Sequence, residues 1–280
     1  MNRLSLILIA LLCLGIVGYI VFEFYVLRNA NVSAANRAFI KEKIQKIENE
    51  LTHLCEVDNF YDHPWAGWYY YGDGLGTNVD LLLAPENGFT ITSSGCLGLY
   101  DQNHGTADWD GNIVKLSSAW KVHKIFESEY RPIRWGERIY LIANDTDAIV
   151  RFCNAVNSRR EPRDSIHGSF FLRHGAVNWE VEGKPEIPEE FMPYLLDEPV
   201  NAVIVSVKNT TTFVVDKGKN DGLLPGMELY IIEQDDIFGW MELTTIEETQ
   251  SEGTISCYSF SGRNKKPVPQ PGWQLSTSQR

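Results

Sequence analysis

Polar side chains that could support catalysis or bind a metal ion are concentrated between residues 101 and 112. Asp101, His104 and Asp108 are followed closely by Asp110 and Asn112. Carboxylates and an imidazole at this spacing could hold a divalent cation or act as an acid and a base, because a neighbouring negative charge raises the pKa of a histidine. Asp, Asn and Gly also dominate β-turns, and the segment lacks the later glutamate of an EF-hand loop. We therefore interpret it as a turn.

Recognised catalytic and phosphate-binding motifs are missing from the sequence. No serine lies in a G-x-S-x-G motif, and residues 216–222 lack the G-x-x-x-x-G-K-[ST] pattern of a phosphate loop. Neither the C-x2-C nor the H-x3–5-H spacing of a zinc site occurs. The sequence therefore predicts no catalytic residue, no metal ion and no cofactor, and it predicts a tight turn at residues 220–222.

Two further groups of residues have ligand-binding chemistry. Trp68 and Tyr70 belong to an aromatic run, and large rings with a polar edge can line a pocket or stack on a glycan. Alternate residues of a strand face opposite sides, so core packing is the alternative for half of this run. Arg159 and Arg160 could clamp a phosphate or a carboxylate, but acidic residues lie nearby and a solvated loop is the alternative.

The charge balance excludes a broad nucleic-acid interface. The 280 residues include 25 basic and 37 acidic side chains, which gives a net charge of −12. Phosphate contacts need clustered Lys and Arg, so we expect no nucleic-acid partner. Hydrophobic residues make up 44% of the chain, which is enough to build a packed core.

The N-terminal segment predicts a membrane anchor. Residues 4–22 carry no charge and are long enough to cross a bilayer as one helix. A cleavable signal peptide is the alternative, but its apolar core is usually only about 7 to 15 residues long. Basic residues after the span favour a cytoplasmic location for the rest of the chain, whereas the short segment of three residues before the span favours export. We expect a single-pass anchor with an extracytoplasmic, periplasmic bulk.

Hydrophobic periodicity predicts a mainly β (α+β) protein. Apolar residues at spacings of three and four predict an amphipathic helix over 33–56, which either docks on the β-domain or pairs with a second copy. A second helix is expected from residue 144 or 145 to 157, and an ordered linker over 183–199. Period-two segments predict strands, with a hairpin across the turn at 85–88. The predicted strands are 68–71, 77–83, 89–92, 96–100, 113–116, 120–126, 138–143, 170–173, 202–207, 212–215, 227–232 and 239–246.

These elements predict four regions. Residues 1–28 form the anchor, 29–56 the amphipathic helix, 57–196 a barrel- or sandwich-like β-domain with one or two helices, and 197–280 a small β-barrel.

Two segments resemble known types of β-domain. Residues 67–76 (GWYYYGDGLG), 81–89 (LLLAPENGF) and 95–100 (GCLGLY) are similar to the opening strands of lipocalin-like β-domains in an uncharacterised bacterial membrane-anchored family. Residues 215–229 resemble the small β-modules that close some envelope and flagellar-assembly proteins. Both resemblances imply a fold and carry no activity, because turn-and-strand patterns specify a fold better than a function.

The cysteines leave the redox state open. Cys13 lies in the predicted span, and Cys55, Cys96, Cys153 and Cys257 remain in the rest of the chain. An even number permits one or two disulfides in an oxidising compartment, and buried free thiols are the alternative.

The sequence as a whole favours a non-enzymatic, membrane-anchored envelope protein. We expect its β-modules to bind a partner protein or a small ligand. The alternative is an extracytoplasmic hydrolase or metal-dependent enzyme that uses Asp101, His104 and Asp108.

Overall fold

The computed structural model describes residues 12, 15–19, 33–56, 62–72, 76–120, 126–162, 170–176, 181, 183–233, 236–257 and 269–279, with the backbone alone for 232, 233, 236–238 and 257. Its helices are α1 (Ala34–Glu56) and α2 (Thr146–Asn157), with 3-10 turns η1 (Glu189–Tyr194) and η2 (Lys219–Asp221). The strands are β1 (Gly67–Tyr71), β2 (Asn78–Ala84), β3 (Gly88–Gly95), β4 (Gly98–Trp109), β5 (Val114–Ser118), β6 (Glu129–Trp135), β7 (Arg138–Ala143), β8 (Phe171–Arg173), β9 (Asn201–Val207), β10 (Thr212–Val215), β11 (Glu228–Glu233), β12 (Asp236–Ile246), β13 (Ser251–Cys257) and β14 (Gln274–Ser276).

The protein is mainly β, as predicted, and its strands close two barrels. Strands β1 to β8 follow one another in order around the first barrel. The second has the strand order β10-β13-β12-β11-β14-β9. By compactness the chain divides into two units, residues 1–129 and 130–280. The four predicted regions stay predictions.

The predicted membrane anchor falls almost wholly outside the described residues. Of residues 4–22, the structure describes only Leu12 and residues 15–19, which are helical. Within the part of the chain that is described, no helix is long and apolar enough to span a membrane. The span and its single-pass topology therefore stay predictions.

In the first unit, the β2–β3 hairpin sets the two faces of the sheet. Leu81 pairs with Ile91 and Leu83 with Phe89, and all four side chains are buried. Because successive strand residues alternate in direction, Leu82 points to the opposite face. We call the face of Leu81 the core face and the face of Leu82 the helix face. The hairpin predicted from the turn at 85–88 is confirmed.

Helix α1 packs on the helix face, as its predicted apolar stripe allows. Ile47 is fully buried against Leu82 and Ala84, with Ile44 and Leu51 packed around them. This contact buries apolar area and thereby stabilises the helix, because helices in proteins gain most of their stability from packing and little from propensity alone. The helix therefore docks on the sheet, which was one of the two predicted arrangements.

Polar contacts fix α1 at two further points. Glu50 Oε1 accepts a hydrogen bond from the backbone N–H of Glu86 (2.7 Å), and Oε2 accepts from the backbone N–H and the Nδ2 of Asn87 (3.0 and 2.8 Å). Lys43 Nζ donates to the carbonyl oxygen of Gly105 (3.3 Å). A carboxylate that accepts backbone N–H groups makes strong, charge-assisted hydrogen bonds. Glu50 thereby ties the helix to the β2–β3 turn.

The turn predicted over residues 101–112 is wrong for 101–109, which lie on strand β4. It is right for 110–112, where Asp110 Oδ1 accepts hydrogen bonds from the N–H groups of Asn112 (3.0 Å) and Ile113 (2.8 Å). The 12-residue strand runs without interruption through residues 101–109, and the predicted strand over 96–100 begins with a turn at 96–97 instead. Two local hydrogen bonds between neighbouring residues are present, from Gln102 N to Asp101 Oδ1 (2.7 Å) and from His104 N to Asn103 Oδ1 (2.8 Å). They coexist with the ladder to β3, because strand pairing outweighs weak local propensities.

In the second unit, α2 forms where the sequence predicts it. Asp145 caps the helix by accepting a hydrogen bond from the N–H of Ala148 (2.7 Å). Its apolar side packs against β6, β7 and β8 in one cluster. Phe152 lies at the centre of this cluster, with ring contacts to Tyr140 (5.2 Å) and Phe170 (5.4 Å). The helix predicted from residue 144 or 145 to 157 is therefore confirmed.

The second barrel also lies in this unit. The predicted turn at residues 220–222 is present, as η2 followed by Gly222 in the left-handed region (φ 84°). Strands β13 and β14 were not predicted, nor was β6, which contains Pro132. The predicted strand over 120–126 lies largely outside the described residues. The core of the barrel is formed by Ala202, Ile204, Phe213, Val215, Leu223, Met227, Leu229, Ile231, Met241, Leu243 and Leu275.

Candidate ligand-binding face

The three residues of the predicted acid–base cluster do not converge. Asp101 pairs with Ser93, on the core face, whereas His104 pairs with Thr90, on the helix face. Asp108 shares the face of His104, but four residues of strand separate them by about 13 Å. Among the described residues, no three His, Cys, Asp or Glu side chains lie where they could hold one metal ion. The enzyme alternative therefore gains no support from this segment.

His104 instead makes an aromatic contact with α1. Its ring lies between Phe39 (4.7 Å between centroids) and Trp120 (4.8 Å, edge to face). Burial, and secondarily the charge of Lys43, lowers the pKa of His104 below its usual value. The uncharged imidazole is thus favoured, which suits a ring that packs between two others. Its role here is to hold the helix against β4.

Trp68 and Tyr70 lie together on the helix face of β1. Trp68 is 40% exposed, while Tyr69, which points to the core face, is fully buried. The indole Nε1 donates to Asp80 Oδ1 (3.1 Å), and the Tyr70 hydroxyl donates to Asn78 Oδ1 (2.5 Å). Aromatic rings with a fixed polar edge can present one face to a ligand.

The two hydrogen bonds have the same geometry in the sheet. Trp68 pairs with Leu82 and bonds Asp80, two residues along β2, and Tyr70 pairs with Asp80 and bonds Asn78, again two residues along. Each ring is therefore drawn across β2 in the same direction. The Cα atoms of the two aromatic residues are about 7 Å apart along the strand.

Polar groups continue the face beyond the rings. Thr92 pairs with Asp80 on the next strand, so its side chain lies beside that carboxylate. Leu82, under α1, borders the same row. We call the group of Trp68, Tyr70, Asp80 and Thr92 the aromatic face. It combines a solvent-exposed indole with acceptor oxygens, which is the chemistry of a binding surface.

The predicted arginine clamp has separate partners. Arg159, in the left-handed region (φ 59°), forms an exposed ion pair with Glu198 (3.6 Å). Arg160 Nη1 donates to Gln279 Oε1 (2.7 Å) and is also exposed. The two guanidinium groups thus contact different parts of the chain. The solvated-loop interpretation fits both positions.

A buried polar joint between α2 and the second barrel was missed by the sequence analysis. Asn154 Nδ2 donates to the carbonyl of Gly226 (2.9 Å), and its Oδ1 accepts from the N–H of Glu228 (3.3 Å). Asn157 similarly bonds the backbone of Tyr194 and Leu196. Both asparagines satisfy backbone groups far away in the chain, so no local pattern could have revealed them.

Glu228 is an ionisable group buried at this joint. Its side chain accepts a hydrogen bond from the Tyr230 hydroxyl (2.8 Å). Burial raises the pKa of Glu228, and the charge of Glu242 across the ladder raises it further, while Tyr230 and Arg151 act in the opposite direction. The ionised carboxylate is therefore less stable in the folded protein than in water.

We expect Glu228→Gln to make stability less dependent on pH. The raised pKa favours the protonated carboxyl in the folded state, so stability should fall as pH rises from about the ordinary value of 4.5 through the raised pKa. The Gln variant lacks this loss and should be the more stable protein at pH 8, with the difference smaller at pH 4. Urea unfolding at both pH values measures this difference, with Thr244→Ala, at an exposed position of β12, as the control. If the free energy of unfolding depended on pH equally in the Gln variant and in the unsubstituted protein, the role of Glu228 would be contradicted.

Cys55 and Cys153 are free thiols. Cys55 and Cys96 are exposed, and Cys153 is buried in α2. Burial raises the pKa of the Cys153 thiol to about 12, which keeps it protonated and unreactive at neutral pH. The side chain of Cys257 lies outside the described residues, so the disulfide and free-thiol alternatives both stay predictions for it.

Together the fold and the aromatic face define a class: a two-barrel, antiparallel β-protein with a docked helix and an exposed aromatic surface. No protein-family model, curated protein or solved structure matches the chain. The predicted lipocalin-like family and the resemblance of the C-terminal part therefore stay predictions.

Proposed function

We propose that the protein is a non-enzymatic, membrane-anchored envelope protein that binds a partner or a small ligand through the aromatic face of its first β-module. The observation that carries this proposal is the 40% exposure of Trp68 on a sheet whose other large side chains are mostly buried. An exposed indole with a fixed orientation is typical of binding surfaces, because it offers much apolar area at little entropic cost.

The docking of α1 determines where an anchored protein would hold its first β-module. The described helix begins at Ala34, a dozen residues after the predicted span ends at residue 22. Ile47 and Glu50 then fix the helix to the sheet. In an anchored protein, the first β-module would thus stay close to the membrane surface. A binding face beside α1 would be presented to other components of the envelope.

The distribution of burial supports the helix face as the binding surface. The core-face residues Leu81, Leu83 and Phe89 are fully buried, so these positions offer no accessible area to a ligand. The aromatic face lies on the other side of the same strands and keeps exposed area at Trp68. Binding there requires no opening of the core.

Membrane extraction and topology mapping test the proposal. We expect the full chain to stay in the membrane pellet after carbonate washing, and a tag at Arg280 to be digested by protease in intact spheroplasts. A chain released by carbonate would overturn the anchor, and a tag protected as well as a cytosolic marker would overturn the export. A mutant lacking residues 4–22 is the matched control for both readouts.

A further inference from the structure

We propose that the aromatic face binds an uncharged oligosaccharide. This inference rests on the proposed function and assigns a ligand class to the same site. It follows from three properties of the face: the fixed direction of its rings, the acceptor character of its polar groups and its lack of positive charge.

The fixed rings make a stacking surface. Trp68 and Tyr70 each form a hydrogen bond to the β2 residue two positions from their own pairing partner. Trp68 bonds Asp80 and Tyr70 bonds Asn78, so both rings lean across β2 in the same direction. Fixing an exposed ring in advance reduces the entropy lost on binding. The negatively polarised face of an aromatic ring attracts the C–H bonds along one side of a pyranose. Two successive rings suit a ligand with at least two sugar units.

The polar groups beside the rings are mainly hydrogen-bond acceptors. Asp80 uses Oδ1 to accept the indole N–H, and its second carboxylate oxygen, Oδ2, can accept a hydrogen bond from a ligand. Thr92 adds a hydroxyl next to it. A ligand that matches these groups must combine hydrogen-bond donors with an apolar face that can stack on the rings. Sugars meet this requirement, whereas a proline-rich peptide, which also docks on aromatic rings, has few donors.

Charge restricts the ligand further. The formal charge on the aromatic face is the single negative charge of Asp80, and the whole chain carries −12. Nucleotide bases also stack on exposed aromatic rings, but their phosphates need basic side chains. Acidic polysaccharides are disfavoured as well, because their carboxylates would be repelled by the negative charge of Asp80. The ligand is therefore an uncharged glycan.

Binding to defined oligosaccharides tests the inference. The full chain is reconstituted in lipid nanodiscs, because sugar-headed detergents would compete, and titrated with cellohexaose and chitohexaose by calorimetry and tryptophan fluorescence. We expect saturable binding of at least one oligosaccharide. Trp68→Ala should weaken it at least tenfold and Asp80→Ala severalfold, while Trp68→Phe, which keeps a ring, should weaken it less than Trp68→Ala.

Phe39→Ala is the matched control. Phe39 is an exposed aromatic residue of the same unit, 49% accessible, and contacts His104 on β4, three strands away from β1. Its loss should leave affinity unchanged. Should Trp68→Ala fail to fold, as judged by thermal unfolding, the Phe and Asp80 variants decide the question.

The outcomes separate this inference from the proposed function. The glycan inference would be overturned if the protein bound neither oligosaccharide. It would also be overturned if the Trp68 and Asp80 variants bound them as tightly as the unsubstituted protein does. Tighter binding of a proline decamer or of polygalacturonate through Trp68 would overturn the ligand class but leave a binding function in place. Release of the chain by carbonate would instead defeat the proposed anchor, whatever the titrations show.

Discussion

Glu161→Ala should lower the free energy of unfolding by about 2 to 3 kcal/mol, because it removes one charged partner of a largely buried, hydrogen-bonded ion pair. Glu161 Oε2 lies 2.6 Å from Arg138 Nη1, and the two side chains are only 16% and 13% exposed. The Tyr140 hydroxyl donates to Glu161 Oε1 (3.0 Å). Burial and the charge of Glu161 both raise the pKa of Tyr140, so the phenol stays protonated and remains a donor.

The physical basis is the charge that the substitution leaves behind. Without the carboxylate, the Arg138 guanidinium stays largely buried beside a fully buried tyrosine. Removing one partner of a desolvated ion pair is costly, whereas replacing both charged partners by apolar residues of similar volume is often close to neutral. We therefore expect the double variant Arg138→Met, Glu161→Leu to be more stable than Glu161→Ala alone.

Chemical denaturation with Glu198→Ala as the control measures this effect. Glu198 forms an ion pair with Arg159 at 3.6 Å, but both side chains are exposed, and such pairs contribute about 1 kcal/mol or less. A Glu161→Ala variant no less stable than the Glu198 control would contradict the importance of burial. So would a double variant that is less stable than the single one.

The elements that the sequence predicted well have local causes. The β2–β3 hairpin has a turn next to alternating apolar residues, and α2 has a capping Asp145 before a helical stripe. Both signals lie within a short window of the chain. Helix α1 was also predicted from its periodicity, but its contact through Glu50 was not. That carboxylate binds a turn 36 residues away, and a single sequence does not show such pairs.

The elements that were missed depend on distant partners. Strand β14 is three residues long and exists because β11 and β9 lie on either side of it. Strand β6 carries a proline, which argues against a strand when the sequence is considered alone. Strand β4 contains Asp, Asn and Gly residues that favour turns, yet β3 and β5 pair along it. In each case the sheet supplies the stability that local propensity does not.

The candidate site was predicted only in part, because its aromatic residues form a local pattern whereas their partners lie on another strand. The aromatic run identified Trp68 and Tyr70, and strand alternation indicated that only half of the run would be exposed. Their partners, Asp80 and Asn78, lie on another strand, and the register that joins them is set by the β1–β2 pairing. The acid–base hypothesis for Asp101, His104 and Asp108 gains no support, because these residues lie on a strand. Once residues 98–109 form a strand, Asp101 and His104 must point to opposite faces.

Gly105 shows why a turn-forming residue occupies the middle of β4. A Cβ atom at this position would overlap the carbonyl oxygen of Ser117 on β5 and lie 2.6 Å from Cε1 of Phe89 on β3. Phe89 pairs with Gly105 in the ladder and is fully buried, so its ring covers the space that a side chain would need. Glycine is present here because the strands approach closely, which is one of the recognised roles of a strand glycine.

Gly105→Ala should therefore destabilise the protein by about 3 kcal/mol or more, at the upper end for an overpacked core. The clash with Ser117 involves backbone, so it cannot be relieved by a rotamer change, and moving β5 would disturb its pairing with β4. Thr106→Ala, at the exposed neighbouring position, should change stability by no more than about 0.5 kcal/mol. Urea unfolding of both variants measures the difference. Similar midpoints would mean that β4 and β5 are farther apart than described.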